Sequence, residues 1–191
     1  MYKRQHYGSL QIYDESLSIS RDNELANVFI WLTRAEDDTS ATPAVPKDGS
    51  AYLTLQNGRL HPHALAYPAD QTLVIRNKDH VPANLIVASR QSNPTNRLFN
   101  AGAEHNYSLN PERIPIRVTS NTTPWLSAYV LPVAHSLFAT SDYKGRFRID
   151  NIPPGTWQIT FWHEKSGWLK TERFTTGRFS YPVSYTHLTL P

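Results

Sequence analysis

Ala139-Thr140-Ser141-Asp142-Tyr143-Lys144-Gly145-Arg146-Phe147-Arg148-Ile149, followed two residues later by Ile152-Pro153-Pro154-Gly155-Thr156-Trp157-Gln158-Ile159, packs two turns and two alternating runs into one short span. Asp142 through Gly145 supplies the side-chain acceptor and the permissive φ that a tight hairpin turn needs. Phe147 and Ile149 stand two apart, so an extended chain points both to one face. Pro153-Pro154-Gly155 then turns the chain into a second alternating strand. This is β-sheet chemistry, and the rest of the chain repeats it.

Working outward, short runs rich in Val, Ile, Thr, Tyr, Phe and Trp alternate with Pro, Gly, Asn and Asp punctuation. The pattern predicts strands over Ser9–Ser20, Ala26–Thr33, Ala51–Leu55, His63–Tyr67, Thr72–Arg76, Asn84–Ala88 and His105–Leu109. It predicts further strands over Ile114–Ser120, Ser127–Val133, Ser136–Ser141, Phe147–Ile149, Thr156–Trp162 and Leu169–Thr175. The 14 prolines interrupt every window long enough for an amphipathic helix. An all-β sandwich architecture is expected. Glu36–Ser50, with Pro43, Pro46 and Asp48-Gly49 and almost no apolar residue, reads as an exposed connection.

Composition narrows function mainly by exclusion. There is no Cys, and the only Met is Met1, so disulfides, thiolate metal sites and Cys nucleophiles are ruled out within this sequence. No apolar run approaches the roughly 20 residues that span a bilayer as a helix. Met1–Gln5 and Val183–Pro191 resemble a sequencing adapter translated from opposite strands. That likeness implies a natural segment of about His6 to Pro182 from a longer gene in an environmental assembly, with 1–7 and 183–191 outside the domains. Without Lys3 and Arg4 the net charge of +3 falls to +1, and a nucleic-acid partner loses its electrostatic basis.

The opening stretch resembles the signature of carboxypeptidase-regulatory-like, transthyretin-like sandwiches, and Glu24–Leu32 resembles the early strand that pairs with it. About a hundred residues separate the two. The implied topology is a discontinuous outer sandwich, residues 8–36 with 134–182, interrupted by an inserted domain at 50–133. The insert resembles bacterial cupredoxin-like proteins through Pro62-His63-Ala64-Leu65, then Gln71 to Leu85, then Pro115 to Val130. Together the motifs are similar to a secreted, methylamine-utilisation-like bacterial family carrying both modules. A Greek-key cupredoxin fold and a periplasmic or extracellular location are what that implies.

The departures from this family fall on its chemistry. Its copper ligands correspond to Ala83, Ser120, Thr123 and Leu126, while the neighbours Asn77, Asp79, Asn84, Pro124, Trp125 and Tyr129 remain. Hydroxyl and aliphatic groups are poor copper ligands, and a blue site needs a thiolate, so no cofactor is expected. The alternative is a non-blue copper site for electron transfer built from His80, His63 and nearby oxygens. His61-Pro62-His63 sets two imidazoles on one strand face, but no third ligand is spaced near them.

Trp162-His163-Glu164 suggests an acid/base pair, yet adjacent strand residues face opposite ways, which favours a structural corner with Trp162 buried. There is no Gly-x-Ser-x-Gly elbow and no Gly-rich phosphate loop, so an enzyme is not expected. Trp125, Trp157, Trp168, Tyr143 and Tyr181 read as exposed aromatics suited to a glycan or protein partner, with core filling as the competing account. The candidate binding residues are therefore His63, His80, Trp125, His163 and Glu164, in a binding or structural module.

Overall fold

The computed structural model describes residues 14–35 and 48–175. In chain order its strands are β1 (Phe29–Arg34), β2 (Ser50–Gln56), β3 (Arg59–His61), β4 (Ala64–Pro68), β5 (Thr72–Asn77), β6 (Ala83–Val87) and β7 (Thr95–Phe99). Then come β8 (Glu104–Tyr107), β9 (Ile116–Thr119), β10 (Ser127–Val133), β11 (Phe138–Thr140), β12 (Thr156–His163) and β13 (Gly167–Thr175). The described residues contain no helix, and the protein is all-β. They fall into two compact units, one of residues 48–134 with Asp14, the other of 15–35 with 135–175.

The first unit has a five-stranded sheet, β4-β10-β9-β6-β7, and a four-stranded sheet, β3-β2-β5-β8. Two strand pairs are parallel, β4 with β10 and β2 with β5, and the rest are antiparallel. Period-two alternation builds its core: Leu53 and Leu55, Leu73 and Ile75, Leu85 and Val87, Val118, and Ala128 with Val130 all point into one cluster. Each fully buried Leu or Ile among them contributes about 1.5–3 kcal/mol. Asn57 and Gly58 connect β2 to β3 with φ of 54° and 67°, the left-handed pair that a two-residue hairpin turn requires. After β3 the chain passes through Pro62 and His63 into β4, so this crossing carries it from one sheet to the other.

The second unit is one antiparallel sheet, β11-β1-β12-β13. One face presents Ile30, Leu32, Trp157, Ile159 and Phe161, and Leu25, Leu137 and Ile149 from outside the strands close over it. The opposite face carries the ring pairs Phe29 with Trp162 and Trp31 with Trp168, at 5.8 and 5.7 Å between centroids. The register shifts between Phe161 and Trp162, where β13 carries one extra residue, and Ile159 through His163 are all buried because β12 is an inner strand of the sheet.

Several expectations need correction. Residues 14–20 form only an isolated bridge, Ile19 to Leu25, and 9–13 lie outside the described residues, as do 36–47, Tyr181 and the adapter-like ends. Phe147–Ile149 is not a strand. The Asp142 carboxylate accepts the Arg146 N–H at 2.9 Å, and the Asp142 N–H donates to the Arg146 carbonyl, so the turn holds backbone groups that a ladder would use. Phe147 and Ile149 still face the core. Two strands lacked a sequence signal. β3 spans three residues, and β7 is a sheet-edge strand with only Phe99 buried.

Candidate functional site

The polar motif at the end of β5 has a structural use. The Asn77 side-chain amide donates to the carbonyls of Val81, Phe99 and Asn100 at 2.8, 3.1 and 3.2 Å, while its oxygen accepts the Asp79 N–H at 2.9 Å. Asp79 in turn accepts the N–H groups of Asn57 and Gly58 at 2.6 and 2.8 Å. Both side chains are buried, at 1% and 7% exposure, and their work is to fasten three loops.

The four residues that the motif resemblance aligns with copper ligands are used by the fold. Ala83 opens β6 opposite Phe99 and, like Leu126, belongs to the unit's apolar core. Ser120 follows β9; its Oγ accepts the Thr123 N–H at 3.1 Å and lies 3.2 Å from the Thr122 hydroxyl. The Thr123 carbonyl accepts the Leu126 N–H at 2.9 Å, which completes a compact 120–126 turn. Thr123 is 1% exposed and Leu126 fully buried. Copper, which the motif resemblance implies, does not fit here: the donor set is a methyl, two hydroxyls and an isobutyl group, and the Ser120 oxygen already serves the turn.

The remaining sequence candidates do not converge. His63 is buried where the chain changes sheets, its carbonyl accepting the Tyr129 N–H and its ring edge-on to Tyr129 at 6.3 Å. His80 lies on the exposed turn after β5. Trp125 is partly buried against the same apolar cluster as Leu126. In the second unit His163 is fully buried at the end of β12, its Nδ1 3.4 Å from the Lys165 N–H, and Glu164 is half-buried in the following turn. No group of three or more His, Asp or Glu side chains suited to a metal ion occurs among the described residues.

The aromatic platform also needs revision. Trp157 is fully buried, not exposed: its indole N–H donates to the Pro153 carbonyl at 2.9 Å, and the Arg34 guanidinium covers its ring at 4.0 Å. The alternation Trp157, Ile159, Phe161 was the signal for that burial. Trp168 and Tyr143 are exposed.

A cleft that the sequence motifs did not mark lies in the first unit, with a volume of about 720 Å³. It spans the sandwich edge, because β7 and β8 are edge strands of the two different sheets and both contribute to it. Arg90, Gln91, Asn93, Arg97, Asn106 and Asn110 line it, above Tyr107. A sequence signal did exist. From His80 to Ala103 there is no acidic residue, yet Arg90 and Arg97 both fall in that stretch.

No protein-family model matches the chain, and no curated protein matches it. Among solved structures it is similar to amicyanin from Paracoccus versutus, at 13% identity over 53% of this chain and 96% of that one, with a TM-score of 0.38. It is also similar to a purple cupredoxin from Nitrosopumilus maritimus, at 20% identity over 44% of this chain and 99% of that one, with a TM-score of 0.36. The all-β class rests on the strand order described above. No described helix is long and apolar enough to cross a membrane.

Proposed function

We propose that this chain is a non-catalytic, exported bacterial binding or structural module. Its cupredoxin-like unit is inserted in a carboxypeptidase-regulatory-like unit, and its copper site has been filled by protein. One observation carries this reading: the Ser120 oxygen, at the position of the thiolate, is bonded into its own turn by the Thr123 N–H. Such a turn is stable without metal, whereas a vacated metal site leaves polar groups in need of partners. The periplasmic or extracellular location rests on motif resemblance, and the partner is a protein or a glycan.

Copper titration of the full chain, followed by dialysis and metal analysis with EPR, tests the reading. No retained copper is expected. One copper per chain with a square-planar EPR signal would overturn it in favour of electron transfer through a non-blue site.

A further inference from the structure

We infer that the cleft between β7, β8 and the 88–94 loop binds an acidic oligosaccharide, a sugar chain carrying carboxylate or sulfate groups. The charge is the first reason. Two guanidiniums, Arg90 and Arg97, line the cleft with no Asp or Glu among its lining residues. Neither makes an ion pair among the described residues, although Arg76, Arg146 and Arg148 all do. Arg97 instead lies over the Tyr107 ring at 5.5 Å, which positions its planar fork without using its donors. Guanidinium forks of this kind bind carboxylate and sulfonate-type oxygens in bidentate fashion.

The rest of the lining sets the class of ligand. Gln91, Asn93 and Asn106 bring to the lining side-chain amides that donate and accept, as a ligand dense in hydroxyls requires. A volume of about 720 Å³ exceeds what a free inorganic anion fills and lies within the usual range for organic ligands. The only aromatic ring in the lining, Tyr107, is buried and covered by Arg97. No ring is therefore open for base stacking, on which single-stranded nucleic-acid binding depends, and the saccharide is favoured over a nucleic acid.

The cleft is also held in shape. One oxygen of Glu112 accepts from the Ser89 hydroxyl and from the N–H groups of Arg90 and Gln91, at 2.8, 2.7 and 2.9 Å. Asn110 donates to the Gln91 carbonyl at 2.7 Å, and its own N–H donates to Ser92 Oγ at 3.0 Å. Glu112 thus spends its charge on the loop backbone. A loop ordered beforehand lowers the entropic cost of binding.

This inference rests on the binding-module reading only in treating the chain as a ligand carrier, and its test measures saccharide rather than copper, so either can fail alone. Calorimetric titration of the full chain with a heparin-derived oligosaccharide, oligogalacturonate, a neutral oligosaccharide and single-stranded oligothymidylate is the experiment. Binding of the sulfated or the uronate probe, whichever anion the site prefers, is expected, with no binding of the neutral one. Arg90→Ala and Arg97→Ala should each weaken it about tenfold, the range of one charge-assisted contact. Arg97→Lys should restore part of that loss, and near-ultraviolet circular dichroism should match the parent. Binding of neither acidic probe, equal affinity for oligothymidylate, or unchanged affinity in the double alanine variant would each overturn the inference.

Discussion

Both units use the same device to hold an irregular segment, and the second unit places its two pins at different depths. In the first, Asn77 and Asp79 are buried and gather backbone groups from residues 57–58, 81 and 99–100. In the second, Ser141 is buried: its Oγ donates to the Leu25 carbonyl and accepts the Val28 N–H. The neighbouring Asp142 is half-exposed and accepts from the Lys144 and Arg146 N–H groups and from the Arg146 guanidinium. The comparison teaches that a polar motif can serve turn closure alone. Burial then decides how much each pin is worth, because a donor stranded in the core keeps no water, whereas one at the surface does.

Removing the buried pin that holds two backbone donors should separate the units most sharply. Asp79→Ala strands two backbone donors and should cost about 3–4 kcal/mol. Hydrogen exchange with mass spectrometry should show the loss in peptides of 48–134 and leave 135–175 protected. Ser141→Ala should cost about 2 kcal/mol, with faster exchange at Val28 and in β1. If its effect instead spread equally through the first unit, the pins would not be independent.

The smallest effect belongs to Asp142, for which solvent replaces much of what is lost. Its carboxyl is held below the usual carboxylate range, first by the Arg146 N–H and then by the Arg146 side chain and the Lys144 N–H. A depressed folded value means that this contribution is present above the unfolded value near 3.8 and is lost as pH falls through the folded one. Asp142→Ala should lower stability by about 1 kcal/mol at neutral pH, and the difference from the parent should vanish below that window in urea melts. An unchanged difference at low pH would assign the effect to the turn backbone instead of the charge.

Much of the fold was legible in the sequence because period-two alternation reports burial directly. Ser127–Val133 was read with the bounds β10 has, and Thr72–Arg76 stops one residue short of β5. Failures came where side chains compete with ladders or where burial is slight. Asp142 holds the Arg146 backbone in a closed turn, and Phe147–Ile149 after it joins no ladder, while the exposed run Asn96-Arg97-Leu98 hid β7. Of the site, residue chemistry alone showed that Ala83, Ser120, Thr123 and Leu126 make a poor copper donor set. Of the cleft, only the acid-free stretch with Arg90 and Arg97 was visible, because its donors come from β7, β8 and two loops that only sheet closure brings to one edge.

Ser141 also has a meaning in time. Its bonds reach back 113 residues to Val28 and 116 to Leu25, and β1 pairs with β12 across a still longer interval, Phe29 lying opposite Trp162. During synthesis, at about 5–20 residues per second, the segment Val28-Phe29-Ile30-Trp31-Leu32 emerges on the order of ten seconds before its sheet partners exist. It is apolar, uncharged and rich in β-formers, the composition that nascent chains pair wrongly. The cell that makes this protein has to shelter one waiting strand while the whole of residues 48–134 is translated.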